Sequence, residues 1–136
     1  MGIVYYIKLY AITLPVFFAI DLLWLGVIAK KLYARYLGHL MKEQVNWTSA
    51  IVFYLLFIVG ILIFAVVPAL KEGSLSRALI YGALFGFFAY ATYELTNLAV
   101  IRDWPIGIVW IDILWGIVLT GSVAGLSYLL GSWLLK

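Results

Sequence analysis

Three acidic residues, Asp21, Glu94 and Asp112, stand inside long apolar runs that hold no Lys or Arg. A carboxylate at the centre of a membrane helix costs about 2.5–3.5 kcal/mol on insertion scales. Such a residue therefore turns toward the bundle interior, where it commonly marks a proton or ion path. Without a cation beside it, each must be protonated, hydrogen-bonded or open to a positively charged ligand. Its neighbours at helical spacing suit that chemistry. Gly82, Gly86, Tyr90, Tyr93, Glu94 and Asn97 fall on one stripe, and Asp112, Gly116, Thr120 and Ser127 on another, because steps of three and four residues keep to one helix face. The pattern Asp-x-x-Trp occurs twice, at Asp21 to Trp24 and Asp112 to Trp115, and this spacing puts each ring beside its own carboxyl group. The candidate proton- or cation-binding residues are thus Asp21, Glu94 and Asp112, with pocket walls from Trp24, Tyr90, Tyr93, Asn97, Trp115 and Thr120. His39, the sole histidine, is the candidate interfacial proton donor. A plainer alternative is that these groups only bridge neighbouring helices, at about 0.6–2 kcal/mol a pair.

The elements that must position these residues follow from composition. Of 136 residues, 67% are hydrophobic and 11% charged, with a mean hydropathy of +1.14, which excludes a water-soluble globule. Nine Lys/Arg against six Asp/Glu leave +3, but the basic residues lie at the ends of the apolar runs, where they anchor membrane edges. No nucleic-acid partner is expected; the partners are membrane lipids. Absence of cysteine removes disulfides and thiolate chemistry.

A membrane helix takes about 20 apolar residues, and four such runs occupy residues 9–29, 50–70, 78–101 and 106–130. The first is too long for a signal-peptide core and lacks a cleavage site, so it is retained. Short turns at 71–77 and 102–105 force antiparallel neighbours. The fold class is therefore an all-α integral membrane protein: one domain, residues 1–136, of four transmembrane helices in an antiparallel bundle. An amphipathic interfacial segment follows the first helix at about 30–45, with Leu32, Tyr33, Tyr36, Leu37 and Leu40 on its apolar side. Asn46 is expected to cap the second helix, which carries no acid or base and serves as scaffold.

The three acids lie eight, seven and six residues from the ends of their runs on the same side, so they share a depth and suggest one site. Gly82-x-x-x-Gly86, in the other half of the third helix, lets a second backbone approach closely. Gly121-x-x-x-Gly125 faces away from Asp112 and is the candidate contact of a homo-oligomer, or else packs on the second helix. Trp24, Trp47, Trp104 and Trp110 fit an aromatic belt on the acid side and Trp133 one on the other. Basic residues divide five to four between the two edges, too even to fix orientation.

Together, Asp21-x-x-Trp24-Leu25, Leu37-Gly38-His39-Leu40, the run from Tyr90 to Ala99, Trp104-Pro105 and Asp112-x-x-Trp115-Gly116 resemble the bacterial membrane-protein family catalogued as domain of unknown function 2177. The resemblance implies a multi-pass inner-membrane protein of four helices, in which the acid at Glu94 is often Asp, and no established activity. From the residues, the first expectation is proton-linked binding or transport of a small cationic or lipophilic solute, with Trp24, Tyr90 and Trp115 as π faces for a cation. The alternative is a membrane enzyme doing acid–base chemistry on a lipid or isoprenoid-like substrate, with Glu94 or Asp112 as acid or base and Asn97 orienting it. A third is a structural or accessory protein. No Gly-x-Ser-x-Gly, His-rich box or phosphate loop is present, and three carboxylates alone fall short of a usual oxygen site, so neither metal nor cofactor is expected.

Overall fold

A computed structural model describes residues 1–136, all helices and connections with no strand. Four helices are long and apolar enough to cross a membrane: α1 (Ile3–Ile28), α3 (Trp47–Glu72), α4 (Leu75–Val100) and α5 (Ile106–Leu134). Between the first two lies the short α2 (Lys30–Leu37), extended by a 3-10 turn at Gly38–Leu40. Two spans carry a π-wound turn, Trp24–Ile28 at the end of α1 and Leu62–Val66 within α3.

Helix ends follow from local chemistry. The Asn46 side chain accepts from the Ser49 backbone N–H at 3.2 Å and opens α3. Gly73, at φ 66°, takes the left-handed conformation that ends it, and one residue later the Ser74 hydroxyl accepts from the Arg77 N–H to start α4. The next reversal is as tight: Asp103 adopts φ 62° and Pro105 stands immediately before α5. The interfacial helix is shorter than its apolar spacing suggests. Beyond Gly38–Leu40 the chain turns extended at Met41 and stays non-helical up to the cap at Asn46.

Half of the apolar window of α5 is buried, against 17–33% in the other three spans, which makes α5 the central strut. Its most extensive partner is α4. Small residues set that distance: a Cβ on Gly82 would meet the Thr120 carbonyl at 2.7 Å, and one on Gly86 would collide with the Gly116 carbonyl. Close backbone approach at Gly82 and Gly86 is thus realised within the chain. Gly121 and Gly125 have the same use, which corrects their assignment to an oligomer contact. Both are buried against α4, facing Ala83 and Leu79, so neither offers a free face to another protomer or packs on α3.

The apolar core runs through Phe17 of α1, Phe57, Ile58 and Ile61 of α3, and Leu119 and Val123 of α5. A second cluster, Ala91, Trp104, Ile108, Val109 and Ile113, is covered by Leu32, Tyr33, Tyr36 and Leu37 of α2. The short helix therefore closes one end of the bundle, with the Tyr36 ring seated on Gly107. Large apolar side chains such as Val27, Phe88, Leu114 and Trp133 face outward, as expected where the solvent is lipid.

Candidate functional site: a carboxyl and aromatic cluster under α2

Asp21, Glu94 and Asp112 are all buried, at 5%, 1% and 7% exposure, and α1, α4 and α5 bring them to the same end of the bundle. Glu94 and Asp112 are neighbours across the α4–α5 seam. The other Glu94 contact is the Trp104 indole, whose Nε1 donates to Oε2 at 2.8 Å. Asp21 lies beside Trp115 and Tyr54, with Asp112 near it. No cation pairs with any of the three, since the single ion pair of the chain, Arg77 with Glu72, is at the opposite edge. Nor do they converge as a ligand set for a metal ion.

From α2, the Tyr33 hydroxyl donates to Asp112 Oδ1 at 2.7 Å and accepts from Trp24 Nε1 at 3.1 Å. Burial first, and the adjacent Asp112 carboxylate second, hold this phenol protonated well above its usual range, so it remains a donor at any physiological pH. The Trp24 ring stacks on Trp115, centroids 4.4 Å apart and 10° from parallel. The two Asp-x-x-Trp turns are therefore interleaved: the tryptophans meet each other, Asp21 neighbours the distant Trp115, and Asp112 reaches Trp24 only through Tyr33. This differs from the expectation that each ring sits beside its own carboxyl group. In an antiparallel pair, Trp115 lies level with Asp21 and Trp24 with Asp112, and side-chain reach across the seam overrides the three-residue spacing. The Trp115 Nε1 is buried without a direct partner.

A cavity of about 420 Å³ adjoins this cluster, lined by Phe53 and Phe57 of α3, Ala89, Tyr90 and Tyr93 of α4, and Asp112 of α5. Gly116 leaves the space that the Tyr90 ring occupies. Phe53 and Tyr93 are about half exposed on the outer surface, so the cavity opens sideways between α3 and α4 toward lipid.

Several expected pocket residues stand elsewhere. Thr120 is fully buried in the α4–α5 seam opposite Gly86, with no partner for its hydroxyl, and does not line the cavity. Asn97 lies beside Tyr93, one turn beyond the cavity wall. Trp24 and Trp115 form a stacked pair beside the acids and do not line the cavity. His39 is exposed, and its Nε2 lies 3.3 Å from the Asp103 carbonyl oxygen, tying the 3-10 turn to the α4–α5 connection and touching none of the acids.

Four contributors, Trp104, Tyr33, Tyr54 and Phe57, were not anticipated. Trp104, assigned to the aromatic belt, is 9% exposed and serves Glu94; the Trp104-Pro105 turn folds it inward, while Trp47 and Trp110 stay on the surface. Tyr33 looked like one more apolar position of an interfacial helix. Tyr54 and Phe57 make α3 part of the site and not only scaffold. A phenol one face away from the basic stripe of α2 was the available signal for Tyr33; nothing local distinguishes Trp104 from a belt residue.

The family model Predicted membrane protein (DUF2177) matches residues 6–129, so the chain belongs to that family of multi-pass membrane proteins, consistent with the bacterial inner membrane. No curated protein and no solved structure matches it.

Proposed function

We propose that this family member takes a lipophilic cation from the membrane into the aromatic cavity below Asp112 and gives up a proton from the Glu94–Asp112 pair as it does so. This would be the binding step of proton-linked transport. The observation that carries it is the cavity of about 420 Å³ with aromatic walls and Asp112 as its one acid. Its volume falls in the range of small-molecule sites. The faces of Phe53, Phe57, Tyr90 and Tyr93 suit a diffuse positive charge, and the sideways opening suits a solute dissolved in lipid. Two neighbouring carboxyl groups without a cation repel when both are charged, so a proton shared between them is the state from which this reading starts. An arriving cation replaces that proton electrostatically, which couples the two.

Acid–base chemistry on a lipid would use the same opening, with Asp112 as proton donor, and would turn over its ligand instead of retaining it. The test is binding of tetraphenylphosphonium to the purified protein in weakly buffered detergent, following heat and proton release together. Saturable binding with proton release is expected. Asp112→Asn should weaken it by about tenfold, a loss of about 1.4 kcal/mol, and Glu94→Gln should bind with little or no proton release. Unchanged affinity in a folded Asp112→Asn protein would overturn the assignment.

A further inference from the structure

At the membrane edge remote from the acids, α1 and α3 part. They are held together further in, where Phe17 and Phe18 pack edge-on against Tyr54 and the Tyr10 hydroxyl donates to the Leu55 carbonyl at 3.2 Å. Beyond that point a groove of about 760 Å³ opens between the helices, walled by Tyr6, Tyr10, Val59, Ile63 and Val67 and ending at Lys71. Leu9 of α1 and Leu70 of α3, next in sequence to groove residues, both pack on Gly131 of α5.

We infer that this groove holds one acyl chain of an anionic phospholipid, with the headgroup phosphate on Lys71. Length and charge carry the assignment. From residue 59 to residue 71 the helix rises about 18 Å at about 1.5 Å per residue, close to one leaflet of a hydrocarbon core about 30 Å thick. The wall is apolar along that length and cationic only at its end. The other charged residue at the mouth, Glu72, is taken by Arg77 at 2.8 Å, which leaves the Lys71 ammonium without an anionic partner. The same edge carries Lys8, Arg77 and Lys136 against Glu72 alone, so its field attracts an anion. A zwitterionic lipid fits the same wall without answering that charge. The site is separate from the acid cluster and does not depend on what the cluster binds.

The experiment is native mass spectrometry of the full chain after exchange into detergent containing equal amounts of phosphatidylglycerol and phosphatidylethanolamine. One retained phosphatidylglycerol per chain is expected, preferred by about fivefold, the effect of one membrane-edge lysine. Lys71→Gln should bring the two lipids to parity, Val59→Trp should fill the groove and lose both, and Lys30→Gln, at the opposite edge, should change neither. Equal retention by the wild type, a preference that survives Lys71→Gln, or a lipid-free dimer showing a second copy in the groove would each overturn the inference.

Discussion

Tyr33 is the residue on which the acid cluster turns, because a single hydroxyl serves both Asp112 and Trp24. Tyr33→Phe keeps the ring and removes both bonds, so unfolding in detergent should show a loss of about 1–2 kcal/mol. Trp104→Phe leaves the buried Glu94 oxygen without its donor and should cost about 1–3 kcal/mol by the same measurement. If both variants matched the wild type, the bonds would be incidental to stability. The acids themselves were legible, since carboxylates in apolar runs stand out against the energetics of lipid. Their partners were not. Indoles and phenols near a membrane edge are chemically at home there, so only the turn that folds Trp104 inward, and the packing of α2 on Ile108 and Val109, separate a site residue from an anchor.

At the level of elements, the four spans could be read from hydropathy and the turns from Gly73, Ser74 and Pro105, because those signals are local. The role of each face depends on what packs against it, and there the sequence was ambiguous. Gly121 and Gly125 look the same whether α4 or a neighbouring protomer fills them. The close α4–α5 approach makes a sharp comparison. A Cβ on Gly86 would strike the Gly116 backbone, which cannot rotate away, so Gly86→Ala should destabilise by about 1–3 kcal/mol. Gly26 has nothing within 4 Å, and Gly26→Ala should change stability by no more than about 1 kcal/mol, in the stabilising direction, as helix propensity predicts. Thermal unfolding of the two variants side by side checks the pair.

For the whole molecule, the basic residues sit at two nearly balanced edges. Lys30, Lys31, Arg35, Lys42 and Arg102 belong to the acid side, and Lys8, Lys71, Arg77 and Lys136 to the other. Lys30→Gln with Lys31→Gln, and Lys71→Gln with Arg77→Gln, should therefore end in opposite orientations, read by a C-terminal reporter active on one side of the membrane only. Identical readouts from the two double variants would mean that something other than charge sets topology. The acid cluster spans all five helices, and its only face-to-face indoles, Trp24 and Trp115, come from α1 and α5. Parallel chromophores at 4.4 Å interact strongly with light as a pair. The fold thus carries its own optical gauge: the near-ultraviolet absorption of this indole pair shifts if α1 slides on α5, and so reports, without any label, whether filling the cavity moves the bundle.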